Sequence, residues 1–133
     1  MDIEECRNKG LVKQTVTNPE LITSLIEMAG IKEETVKEAR LTQRNISVFI
    51  SVAYDSLRLV MEAICNQRGY KVLNHICLGE LLKNDIDYET FNRLRWTRNN
   101  ISYYGKQVEL RQGRELIEEV FRMTEEVRML LGE

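Results

Sequence analysis

Apolar residues recur every three or four positions through the middle of the chain. Ile46, Phe49, Ile50, Ala53, Leu57, Val60 and Ile64 form one stripe, and Val48, Val52, Leu59 and Ala63 add a second. Spacings of three and four mark one face of a helix. A helix apolar on two sides is central, or it is shared between a core and an interface. The pattern predicts such a helix from near Asn45, closed by Gly69 as its C-terminal cap. Upstream, Asn18-Pro19 is a helix start, with Asn as N-cap and Pro at the first helical position. Leu21, Leu25, Met28 and Ala29 give this element an apolar face, which Gly30 is expected to end or bend. A charged helix follows, from about Lys32 to Gln43, and residues 2–17 read as a short polar helix or an ordered arm.

Downstream, the loop Tyr70 to Asn74 leads to a short helix from His75 to Lys83, and Asn84-Asp85 interrupts the pattern. The next helix is predicted from about Asp87 to Tyr104, ended by Gly105. A last helix, about Val108 to Leu131, buries Leu116, Ile117, Val120, Phe121, Val127, Leu130 and Leu131. No alternating segment of strand length stands out. The pattern as a whole predicts an all-α fold, an antiparallel bundle of four to five helices with one short extra helix. It forms a single domain over residues 1–133, with N-terminal extension helices in 1–30 and the core in 31–131.

Composition changes this picture little. The chain has 133 residues, of which 43% are apolar and 30% charged, an ordinary globular balance, and its net charge of -2 excludes no partner by itself. Three cysteines at wide spacings, Cys6, Cys65 and Cys77, suggest reduced thiols and a cytoplasmic protein. There is no signal-peptide pattern and no apolar run of transmembrane length, so no membrane role is expected. One histidine and three scattered cysteines make a metal site improbable. No phosphate-binding glycine loop or nucleophile elbow is present, and no cofactor is expected. The stretch from Glu38 to Ile46 faintly suggests a helix-turn-helix but lacks a turn glycine.

The candidate chemistry sits near the end of the penultimate helix. Phe91, Leu94, Arg98 and Ile101 share one face. Three are apolar and the fourth carries a permanent charge, which is costly on a packed face unless it is paired or faces a pocket. Tyr103 lies five residues further on, roughly 140° around an undistorted helix. If Arg98 and Tyr103 act together, the helix bends or a second copy of the chain supplies the partner, which points to a symmetric dimer. Arg93, Arg95, Arg98, Lys106, Arg111 and Arg114 form a basic cluster suited to phosphate, with Trp96, Tyr103 and Tyr104 available to stack on bases. The plain alternatives are a buried ion pair for Arg98, a helix-end hydrogen bond for Asn99, packing aromatics for Tyr103 and Tyr104, and a solvated charged face for the rest. His75 follows the good N-cap Asn74 and reads as a residue that packs and hydrogen-bonds within the fold.

Three pieces of the chain resemble the HEPN domain family, in particular its small stand-alone, HepT-like prokaryotic members. They are the apolar helix Ser47 to Ile64 with Tyr54, then Gly69 followed by His75 and Ile76, Leu78, Leu81 and Leu82, and last Arg98-Asn99-x-Ile101-x-Tyr103-x-Gly105. The resemblance covers roughly Ile31 to Leu131. It implies a homodimer binding RNA or a nucleotide in a groove centred on Arg98, with Asn99, Tyr103, Tyr104 and Arg95 as further binding residues. It also implies a partner, a minimal nucleotidyltransferase, in a toxin–antitoxin-like pair. The family's catalytic pattern is R-x4-H, as found in metal-independent ribonucleases, so the resemblance assigns catalysis to Arg98 and Tyr103. Tyr103 stands where that His belongs. A phenol with a pKa of about 10 is a poor base at neutral pH. The tyrosine that accepts AMP in HepT-like members corresponds to Gly105 here, and Tyr104 is only its neighbour. The alternatives to the binding reading are an active ribonuclease and a purely structural helical module.

Overall fold

A computed structural model describes residues 1–104 and 107–132, apart from the side chains of 102–104. The chain is mostly helical: α1 (Ile3–Asn8), α2 (Pro19–Glu38), α3 (Ile46–Gln67), α4 (His75–Leu81), α5 (Tyr88–Tyr104) and α6 (Leu110–Arg128), the last running into a 3-10 turn (Met129–Gly132). Two three-residue strands, β1 (Val12–Gln14) and β2 (Tyr70–Val72), pair antiparallel with Val12 opposite Val72. The fold class is therefore all-α, with one small ribbon beside the helices.

α3 is the axis of the molecule. Ile46, Ile50, Ala53, Leu57, Val60 and Ile64 are all at most 1% exposed, and Leu59 and Ala63 of its second stripe are buried too. α2 and α6 pack along it, and α4, α5 and β2 close on its other sides. Two glycines permit close approach. A Cβ at Gly113 of α6 would overlap Ile46, and one at Gly79 of α4 would lie 2.7 Å from the Phe91 ring. Forcing a methyl into such a contact costs about 1–3 kcal/mol.

The expected break at Gly30 does not occur, and α2 runs unbroken for 20 residues. Ala29, Glu33 and Val36 keep one face buried across that point. A glycine inside a helix costs only about 1 kcal/mol against alanine. The buried Glu33 takes an ion pair from Arg128 of α6 at 2.7 Å, which fixes α2 to the last helix. Asn18 caps α2 as expected, accepting the Leu21 N–H. Asn45 holds the α2–α3 turn instead of capping α3: its amide oxygen accepts from Thr42 N–H and its amide nitrogen donates to the Arg40 carbonyl.

Gly69 has φ +87°, and its carbonyl accepts the Thr15 N–H, so the chain leaves α3 directly into the ribbon. The segment read as a loop from Tyr70 to Asn74 thus begins with a strand, too short for alternation to reveal. The expectation of reduced thiols is also corrected. Cys6 and Cys77 are joined in a disulfide across 71 residues, which ties α1 to α4, and Cys65 alone is a free, buried thiol. Wide spacing in sequence says nothing of spacing in the fold. Here the ribbon carries α1 back against α4.

By loop-closure entropy alone, a bridge over a loop of this size is worth about 4 kcal/mol. Denaturation without reductant should leave one alkylatable thiol, Cys65, by intact mass. Cys6→Ser should lower stability by about 2–4 kcal/mol in urea unfolding. Three alkylated thiols in the unreduced protein would show the bridge absent.

Candidate functional site

Helix α3 carries only three charged residues, Asp55, Arg58 and Glu62, and their spacing of three and four sets them on one face. Arg58 joins the row: its Nη1 donates to Glu62 at 2.7 Å and its Nε lies 3.7 Å from Asp55. α5 packs beside this row. Its Phe91, Leu94 and Ile101 are buried, as their spacing indicated. Arg98 shares that face with a side chain only 18% exposed.

Arg98 is held by several weak contacts. Its Nη2 is 3.8 Å from Asp55, beyond hydrogen-bond length, and its Nη1 donates to Asn99 at 3.4 Å. Its guanidinium carbon lies 5.4 Å from the centre of the Tyr54 ring, within cation–π range. Its Nε is buried and has no hydrogen-bond partner among the described residues, and the same holds for Nε of Arg95 one turn earlier. Buried donors of this kind are nearly always satisfied in proteins. Two guanidinium groups with spare donors on adjacent turns have capacity for an anion.

Tyr54 lies at the centre, 1% exposed, stacked on Phe91 with ring centres 6.3 Å apart. Its hydroxyl is 3.4 Å from Nδ1 of His75, the first residue of α4. Burial pushes the Tyr54 phenol above its ordinary value, although Arg95, Arg98 and Arg58 all pull it down. Burial also lowers His75, with Arg58 and Arg98 pushing the same way, to about 4. Both groups are therefore neutral at pH 7. Burial raises the Glu62 carboxyl against the pull of Arg58. The cluster as a whole has three guanidinium groups, Arg58, Arg95 and Arg98, against two carboxylates, Asp55 and Glu62.

Of the wider basic cluster expected from sequence, Arg93 is paired with Glu119, Arg111 lies 3.6 Å from Glu115, and Arg114 reaches the Leu41 carbonyl. Trp96 is 62% exposed and stands away from the Arg98 face. Asn99 contacts Arg98 from the next position along the helix. The side chains of Tyr103 and Tyr104, and the residues Gly105 and Lys106, lie outside the described residues, so the pairing of Arg98 with Tyr103 has no geometry here. His75, read as a packing residue, packs as expected but does so inside the cluster. Asp55, Arg58 and Glu62 are not among the residues expected from sequence, although they are the only charges in a helix apolar on two sides.

No protein-family model, curated protein or solved structure matches the chain.

His75 is the chain's single histidine, so its imidazole proton resonance is unambiguous. Its titration midpoint should fall near 4 instead of 6.5. The folded value lies below the unfolded one, so the unfolded chain binds the extra proton between them. Stability is then fully present above about 6.5 and is lost as pH falls toward about 4. His75→Gln should flatten thermal stability over that window. A midpoint at the ordinary value would mean that the imidazole is solvated and apart from Tyr54.

Proposed function

We propose that this chain is a HEPN-like helical homodimer that binds RNA or a nucleotide around Arg98, as partner of a minimal nucleotidyltransferase in a toxin–antitoxin-like pair. The observation that carries the reading is the incomplete pairing of Arg98. A guanidinium stacked on Tyr54, loosely paired to Asp55 and with a spare buried donor, suits a phosphate that approaches between α3 and α5. Arg95 and Arg58 add positive potential beside it. Asn99, Tyr103 and Tyr104 lie on the following turns of the same helix. In a two-fold dimer this face would meet its copy, so that both Arg98 side chains reach one phosphate. The exposed Val48 and half-buried Val52 on the Asp55 side of α3 are consistent with such a contact.

A second reading is a metal-independent endoribonuclease, with Arg98 holding the phosphate and Tyr103 donating a hydrogen bond or a proton. His75, with its pKa lowered to about 4, is too weak a base at pH 7 to replace the family's histidine. The third reading is structural, with Arg98 serving only to join α5 to α3.

No helix among the described residues is long and apolar enough to cross a membrane. A cytoplasmic location goes with an RNA or nucleotide ligand, and the Cys6–Cys77 bridge weighs against it.

Arg98→Met keeps length and apolar character while removing charge. It should leave thermal stability near normal and weaken binding of labelled single-stranded RNA or AMP by roughly 10- to 100-fold, the worth of one charge-assisted hydrogen bond. Unfolding of this variant would assign Arg98 to the structural reading. Tyr103→His should raise any RNA cleavage seen in EDTA, since an imidazole exchanges protons at neutral pH and a phenol rarely does. A more active wild type would instead make Tyr103 a working donor.

A further inference from the structure

Further along the charged row of α3, at Arg58 and Glu62, lies an open groove of about 570 Å³, bounded by the start of α2, the C-terminal half of α3, and β2 with α4. Leu25 and Leu78 line it, and Leu21, Val16 and Leu73 stand on its rim, 43%, 86% and 53% exposed. Among the described residues, three of the nine markedly exposed large apolar side chains thus belong to one concavity. Aliphatic exposure gathered on one groove marks a binding surface more than scattered exposure does. The volume is that of a small-molecule site.

The polar part of the wall has a definite charge. Arg58 and Glu62 line it and are paired with each other at 2.7 Å. His75 lines it and is neutral at pH 7. Lys71 lines it too, has no ion pair among the described residues, and sits directly opposite Lys13 in the ribbon. Like charges across an antiparallel pair repel, and an anion beside Lys71 offsets that repulsion. One uncompensated cation beside an aliphatic wall calls for a single negative charge on an aliphatic body. Tyr70 and His75 are the two ring side chains among the described lining residues, and the apolar part of the wall is otherwise aliphatic.

We propose that this groove binds a small amphipathic monoanion, an aliphatic carboxylate, with its chain on Leu21, Leu25 and Leu78 and its carboxylate toward Lys71 and His75. Tyr54, Asp55, Arg95 and Arg98 do not line the groove, whereas Arg58, Glu62 and His75 belong both to it and to the Arg98 cluster, so variants at Lys71 and Leu73 are the ones that separate the two sites.

Octanoate is a suitable probe, read by the imidazole proton resonance of the single histidine at neutral pH. A saturable shift is expected, with a dissociation constant in the low-millimolar range or tighter. Leu73→Asp, at an exposed position that places a carboxylate on the rim, should weaken binding by about tenfold or more, and Lys71→Glu by a similar factor, as loss of one favourable charge contact plus one repulsion implies. Both positions are exposed, so both variants should fold. Absence of a saturable shift overturns the proposal, as does a shift that both variants leave unchanged. Equal binding of octanol removes the charged end, and an equal effect of inorganic phosphate removes the aliphatic one. Either result also overturns the proposal.

Discussion

Helix α3 is enclosed by α2, α4, α5 and α6, and only one of its faces is left for charge. That constraint shapes the molecule. An ionised side chain on any other face would enter the core, where an unpaired charge costs several kcal/mol. Asp55, Arg58 and Glu62 therefore fall on one row, and the neighbouring helices must meet it with groups that can answer charge. α5 supplies Arg98 and Arg95, and α4 supplies His75 at its first turn. Tyr54, adjacent to the row, offers an aromatic face to Arg98 and a hydroxyl to His75. The polar cluster follows from the packing of the central helix.

The same burial decides which groups carry charge. Desolvation keeps Tyr54 protonated and His75 unprotonated, while the arginines stay charged. The result is a positively biased patch beside a neutral phenol–imidazole pair. Further along the same row, Arg58 and Glu62 neutralise each other in the groove wall, and Lys71 is left there as a cation with no ion pair among the described residues. One row of charges thus serves two distinct surfaces, and His75 touches both.

The helices were legible where periodicity is long. The stripe of α3, the Asn18-Pro19 start of α2, the buried Phe91, Leu94 and Ile101 of α5, and the cap at Gly69 all follow from local chemistry. Features made by distant residues were not legible. The ribbon is three residues wide on each side, and Cys6 meets Cys77 across 71 residues. The break expected at Gly30 is absent because burial continues through Ala29, Glu33 and Val36 and outweighs one breaker residue. Arg98 was legible as an anomaly, a charge on an apolar stripe, but Asp55 and Tyr54 as its neighbours could come only from the packing of α5 on α3. For the same reason the partners of Arg93 and Arg114, which stand on other elements, were not legible.

Whether Arg98 is held for a ligand or for the fold is the central question, and Asp55→Asn addresses it most directly. The carboxamide keeps the shape of the side chain and removes the charge that competes with an incoming phosphate. Binding of a short single-stranded RNA should then tighten, by about three- to tenfold, with a steeper dependence on salt and little change in unfolding midpoint. Unchanged or weaker binding together with a large loss of stability would show that Arg98 and Asp55 exist to join two helices, and that the cluster holds no anion.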